Sequence, residues 1–265
     1  MQAIMLAAGM GSRLGKYTKD NTKCMLDVYG KTLLERAIDS LLNANINKLI
    51  LVLGYKKENV KKYIKETKLD EKIEIEFIDN DVYDKTNNIY SLYLAKDKLI
   101  QDDTILLESD LIYDESIISE LVNSKYNDAA LVAKYEEWMD GTMVTLNEDK
   151  VISSFVEKNN FDYNEVNSYY KTVNIYKFSK DFCKRFYLPF LESYIKAYGH
   201  NDYYELVLKV ISGLKDAKLY GVVLDGKDWY EIDDCQDYDI VKAIFAPTTK
   251  EKLELFHKRF GGYWR

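Results

Sequence analysis

Apolar positions along the first 110 residues follow two rhythms. AIMLA (3–7), KLILVLG (48–54) and DTILLES (103–109) are nearly continuous apolar runs, the pattern of strands covered on both faces. KIEIEFI (72–78) alternates, as a strand with one wet face does. Between them, KTLLERAIDSLLNA (31–44), KENVKKYIKET (57–67) and NNIYSLYLAKDKL (87–99) repeat apolar residues at helical spacing. This alternation predicts crossover helices joining parallel strands, hence an α/β, Rossmann-like chain whose mixed, mostly parallel sheet is flanked by helices on both faces. Ligands of such sheets gather at the carboxyl ends of strands. The glycine-rich stretch after AIMLA, Gly54 and Asp110 all fall at such ends and are expected to line one crevice.

The pattern changes after Asp110. DAALVAKY (128–135), TMVTLNEDKVISSFV (142–156) and SYYKTVNIYKFS (168–179) predict further strands and hairpins. KDFCKRFYLPFLESYIKAYG (180–199) and DYYELVLKVISGL (202–214) predict helices, and KLYGVVLDG (218–226) a strand. The latter part of WYEIDDCQDYDIVKAIF (229–245) is predicted helical. A last helix is expected over APTTKEKLELFHKRF (246–260), with Pro247 and Thr248 near its start. With no internal repeat and no low-complexity linker, residues 1–246 are assigned to one domain and 247–265 to a C-terminal helix or the start of a linker to a further domain.

Composition narrows the chemistry. A chain of 265 residues that is 47% hydrophobic can bury a sizeable core, yet no stretch is long and apolar enough for a membrane span. The start, MQAIMLAAG, lacks a basic flank and meets a glycine early, so no signal peptide is expected. Three cysteines, odd in number and far apart, argue for reduced thiols and a cytoplasmic location. A net charge of −7 speaks against a nucleic-acid surface. His200 and His257 are the only histidines and stand far apart, so metal chemistry must rest on carboxylate oxygens and a hard cation.

The stretch LAAGMGSRLGKYTKDNTKCM (6–25) is poor core material and good phosphate-gripping material. Glycines let backbone N–H groups approach oxygens closely, Arg13 offers a planar fork, and Lys23 a compact charge. The spacing is not that of a dinucleotide-binding turn, and no acidic residue closes the second strand.

Leu6, Ala7, Ala8, Gly9, Gly11, Arg13, Leu14 and Lys23 match the loop of nucleoside-triphosphate transferases that join a nucleotide to a phosphorylated acceptor. That family usually has proline before the lysine; Thr22 stands there instead, which is expected to loosen the loop. TNNIYSLYLA (86–95), LLESDLIY (106–113) and WYEIDDCQDY (229–238) further resemble the bacterial phosphocholine and 2-aminoethylphosphonate cytidylyltransferases.

The resemblance implies attack of an ionised phosphonate or phosphate oxygen on the α-phosphorus of CTP, with pyrophosphate leaving. Lys23 and Arg13 are then the catalytic cations. Leu6, Ala7, Ala8, Gly9, Gly11, Ser12, Gly54, Asn88 and Ser91 hold the nucleotide, and Asp110 and Asp233 bind Mg²⁺. Asp234 competes with Asp233, and the frame Y-E-I-D favours Asp233. Asn87 or Asn88 also suits the cap of the following helix. A small cationic acceptor is best held by aromatic faces and carboxylates. Glu136, Trp138, Tyr203, Tyr204, Glu205 and Glu231 are the candidates, core packing being the other use for the aromatics.

Two acceptors compete, 2-aminoethylphosphonate and phosphocholine. The former is favoured slightly by the tail FHKRFGGYWR, which ends as though a further domain follows. Some aminoethylphosphonate cytidylyltransferases are fused to a pyridoxal-phosphate aminotransferase, and the tail resembles the start of one. A sugar-1-phosphate nucleotidyltransferase shares the opening loop, and a non-catalytic nucleotide-binding subunit would share the fold.

Overall fold

The computed structural model describes residues 1–248, so the expected last helix and nearly all of the 247–265 segment lie outside the described residues. Strands β1 (Gln2–Ala7), β2 (Lys48–Leu53), β3 (Glu74–Asp79) and β4 (Thr104–Glu108) come from the first half. They are followed by β5 (Leu111–Tyr113), β6 (Ala129–Lys134), β7 (Met143–Leu146) and β8 (Ile152–Val156). The last are β9 (Tyr169–Phe178), β10 (Tyr220–Val223) and β11 (Trp229–Glu231). The main sheet runs β10-β6-β9-β4-β1-β2-β3, with β7 and β8 extending from β9. β1 is parallel to both β2 and β4, and β2 to β3, as the alternation predicts. β9 breaks the parallel run by lying antiparallel between β4 and β6.

The continuous apolar runs are explained by two cores, one on each face of the sheet. Ala3, Met5 and Ala7 of β1 join Leu49, Leu51 and Leu53 of β2 in one. The intervening Ile4, Leu6, Ile50 and Val52 join the other, because successive side chains of a strand point to opposite faces. At the edge, alternating β3 keeps Glu74 and Glu76 outside, where Lys48 pairs with both and Lys98 with Glu76. A third, smaller core gathers Leu14, Leu26, Ile112, Tyr230, Ile232 and Val241. It fastens the opening loop to the β5–β11 antiparallel ribbon and to helix Cys235–Ile244.

Helix Leu33–Asn43 begins at a Thr32–Glu35 capping box, two orphan amides being satisfied reciprocally. Two predicted helices are interrupted. Residues 87–99 form Asn88–Leu94 and a turn Lys96–Leu99, separated at Ala95. Residues 180–199 contain a widened π-type turn, Cys183–Tyr187, just before helix Leu188–Tyr198. Pro189 explains the second break: it lacks an N–H and its ring crowds the preceding turn, which opens to accept it. Among the described residues, no helix is long and apolar enough to cross a membrane.

Candidate active site

The loop after β1 runs into a short 3-10 turn, Ser12–Tyr17, and a second one, Lys23–Met25, rather than directly into an α-helix. Gly11 has φ +59°, and a β-carbon there would stand 2.8 Å from Lys23 Cγ. The glycine therefore leaves the channel through which the Lys23 stem passes. Thr18 Oγ1 donates to Gly11 O at 2.7 Å and pins the turn. Thr22, at the proline position, is buried; its N–H donates to Asn21 Oδ1, and its hydroxyl lies 2.9 Å from Cys24 Sγ. These bonds tie the segment that the missing proline was expected to loosen.

Lys23 Nζ ends between two acids, 2.8 Å from Asp110 Oδ2 and 2.8 Å from Asp233 Oδ1. Arg13 reaches the same Asp233 oxygen at 2.7 Å. The structure thus joins residues 13, 23, 110 and 233 in one charged cluster. Burial acts to lower the Lys23 pKa, but the charges of Asp110 and Asp233 outweigh it and hold the lysine above its ordinary value. Burial likewise acts to raise Asp233, and Lys23 with Arg13 pulls it below the usual carboxylate value. Asp234 is occupied elsewhere. Its side chain caps helix Cys235–Ile244 by accepting from the N–H groups of Gln236 and Asp237. Asp237 in turn accepts from the N–H groups of residues 233 and 234, fixing the backbone that presents Asp233.

Asp110, Glu231 and Asp233 each offer an oxygen, the three lying within 4.8 Å of one another. Asp110 Oδ1 is buried and has no hydrogen-bond partner. An orphaned carboxylate oxygen among two further acids fits a hard divalent cation, which takes oxygen ligands. Glu231, expected only at the acceptor, therefore belongs to the acidic group as well.

These residues line a cleft of about 700 Å³. Leu6, Ala8, Gly9, Gly11, Ser12, Asn88 and Ser91 all face it. Ala7 instead points into the core, and Gly54 lies behind the loop, where a β-carbon would be 2.7 Å from both Ala8 O and Tyr83 Cβ. Asn87 is the residue that caps helix Asn88–Leu94. Asn88 spans two segments, accepting from Tyr204 N–H at 3.1 Å and donating to Glu108 Oε1 at 3.1 Å. Buried Asn80 donates to Ser91 Oγ at 3.2 Å.

At the other end, Trp138 stacks on Tyr230, with ring centroids 4.7 Å apart and planes 8° apart, and Tyr203 and Glu205 face the same space. Two sequence candidates are displaced. Tyr204 is fully buried in the core, because helix Glu205–Ser212 starts one residue later and turns its ring inward. Glu136 is exposed and accepts from the Trp138 indole N–H at 2.8 Å, so its carboxylate is already engaged in holding that ring.

Glu108, Lys171 and Asn174 are among the cleft residues that the sequence reading does not single out. Glu108 closes β4 at the carboxyl end, and burial, with Asp110 beside it, pushes its pKa up strongly. Lys171 and Asn174 are polar residues inside the buried run of β9, a signal visible in SYYKTVNIYKFS. Burial also raises Glu231 and brings Glu205 up to about 7.

Known proteins share both sequence and fold. Residues 2–242 match the nucleotidyl transferase family. The CMP-5'-(3-aminopropyl)phosphonate synthase of Streptomyces rubellomurinus is 28% identical over the whole chain, which spans 42% of that protein's length. The CTP:phosphoglutamine cytidylyltransferase of Campylobacter jejuni is 29% identical over 91% of this chain and 98% of its own. The crystal structure of the CTP:phosphocholine cytidylyltransferase of Streptococcus pneumoniae superposes with a TM-score of 0.77 at 24% identity, covering 92% of this chain and 98% of that one. The chain belongs to the nucleotidyl transferase family.

Proposed function

We propose that the protein transfers CMP from CTP to a small cationic phosphonate or phosphate, 2-aminoethylphosphonate being the favoured acceptor, and releases pyrophosphate. The observation that carries this reading is Lys23 held between Asp110 and Asp233, with Arg13 on the second acid. It places the loop cations and the distant acids at one point of the cleft.

The acceptor's oxygen is already ionised at neutral pH, so the reaction needs no general base. What it needs is alignment and relief of repulsion between two anions. Lys23 supplies a compact charge for the α-phosphoryl oxygens as negative charge builds on them. Arg13 and the amides of residues 9–12 hold the β- and γ-phosphates. Mg²⁺, held by Asp110, Asp233 and Glu231, would neutralise phosphate oxygens when bound. Among the described residues, seven acids line the cleft against three cations, so these alone do not balance a triphosphate.

The cationic end of the acceptor belongs beside Trp138, Tyr203, Glu205 and Glu231. Glu205 Oε2 is buried without a hydrogen-bond partner. Such an oxygen is satisfied by a primary ammonium, which donates hydrogen bonds, and not by a quaternary one. Relatives whose names include aminopropylphosphonate and 2-aminoethylphosphonate support the same class.

The test is pyrophosphate release with each of CTP, UTP, ATP and GTP against 2-aminoethylphosphonate, phosphocholine and glucose 1-phosphate. The expected pair is CTP with 2-aminoethylphosphonate. Turnover with the sugar phosphate alone would defeat the cationic-acceptor reading, and none with any pair would defeat catalysis.

A further inference from the structure

Among the described residues, three cations line the cleft, and the reading above uses two of them, Arg13 and Lys23. The third, Lys171, comes from β9 and is almost wholly enclosed, its side chain 5% exposed. Its ammonium donates to Thr172 O at 3.0 Å and stands 3.5 Å from Glu231 Oε2. A β-carbon on Gly141, whose φ is +88°, would lie 3.5 Å from Lys171 Nζ. The lysine is therefore roofed by the loop that carries Trp138 and faces the acidic group from the acceptor side.

An ammonium has three donors, and a buried one is costly unless they are matched. Here one bond is 3.0 Å, a second contact is 3.5 Å, and the residue lines the cleft. The reaction proposed above brings two anions together, and Arg13 and Lys23 are committed to the triphosphate. The acceptor's own anionic head needs a separate cation, on the side away from the opening loop. Asn174, with φ +57°, directs its amide to Glu231 Oε2 at 3.5 Å, so the carboxylate beside Lys171 is held from a second direction. Resting on the proposed cytidylyl transfer, we infer that Lys171 binds the phosphonate or phosphate head of the acceptor, leaving Glu205 to its cationic end.

The rival role is a structural counter-ion for the buried glutamates, and splitting the acceptor into its two ends separates the roles. Methylphosphonate carries the anionic head alone and ethylamine the cationic end alone. Each is measured as an inhibitor of CTP turnover with 2-aminoethylphosphonate in the wild type, Lys171→Met, Lys171→Arg and Glu205→Gln. Lys171→Met is expected to raise the acceptor KM and the methylphosphonate inhibition constant about 10-fold or more, as loss of a charge-assisted hydrogen bond does. The KM for CTP and inhibition by ethylamine stay near wild type, Lys171→Arg restores most of the loss, and Glu205→Gln weakens ethylamine alone. Lys171→Met that weakens ethylamine and leaves methylphosphonate unchanged overturns the inference while cytidylyl transfer stands. If Lys171→Met does not fold, ¹⁵N-lysine spectra decide: methylphosphonate must shift a side-chain resonance absent from Lys171→Arg, and no shift overturns the inference. A wild type inactive with every acceptor overturns the proposed reaction, and this inference with it.

Discussion

Gly11 and Lys23 interlock: the empty side of the glycine, at φ +59°, is filled by the lysine's stem, with 2.8 Å between a notional β-carbon and Lys23 Cγ. Gly11→Ala therefore both strains the backbone and displaces the lysine. A misplacement of about 1 Å costs up to about 100-fold in rate, and the left-handed conformation costs an alanine about 1–2 kcal/mol. Turnover should fall about 10- to 100-fold, while the melting temperature drops only modestly. Pyrophosphate release at wild-type rate from Gly11→Ala would contradict the fit.

Lys23 and Arg13 together offset the charges of Asp110 and Asp233. Chelating divalent cations should abolish turnover, and Mg²⁺ should restore it, with little change in melting temperature. Mn²⁺ binding followed by electron paramagnetic resonance should weaken at least about 10-fold in Asp110→Asn. A melting temperature that collapses on chelation, or Mn²⁺ binding indifferent to the substitution, would count against this set of ligands.

Burial pushes the Glu205 carboxyl up to about 7. A carboxyl whose pKa is raised on folding holds more protons in the folded state between its two pKa values. Its contribution to stability is thus full below about 4.5, is lost as pH rises towards 7, and stays lost above it. Glu205→Gln removes the titration, so its melting temperature relative to wild type should rise from pH 5 to pH 8. Each kcal/mol recovered corresponds to roughly 2–4 °C in a chain of this size. A difference that is flat with pH would show that this carboxyl is not the one being strained.

Asn88 serves the structure from within the cleft. It satisfies the Tyr204 N–H and the Glu108 carboxyl group at 3.1 Å each. Asn88→Ala leaves both without that partner and should cost about 1–3 kcal/mol, read by chemical denaturation. An unchanged unfolding midpoint would mean that the residue acts only on the nucleotide.

Much of this was legible in the chain itself. The unbroken apolar runs of β1, β2 and β4 announce strands buried on both faces, and two cores are there. What pattern alone did not show was β9 turning antiparallel, since direction depends on connections and not on side-chain periodicity. Pro189 was visible, yet its effect, a widened turn inside the predicted helix, depends on how the neighbouring carbonyls are accommodated. At the site, the spacing of Asp234 and Asp237 is a capping pattern, which leaves Asp233 to face the cleft. Tyr204 was misplaced because one residue of phase at a helix start decides whether a ring points into the cleft or the core. Glu136 and Trp138 looked like independent ligands, whereas one holds the other.

The most direct measurement is pyrophosphate release by Lys23→Ala, with CTP saturating and the preferred acceptor present. With the compact charge gone from between Asp110 and Asp233, kcat should fall about 100- to 1,000-fold, as it does when one preorganised transition-state donor is removed. A fold checked by circular dichroism should be unchanged. Turnover within a few-fold of wild type in that variant would contradict the account.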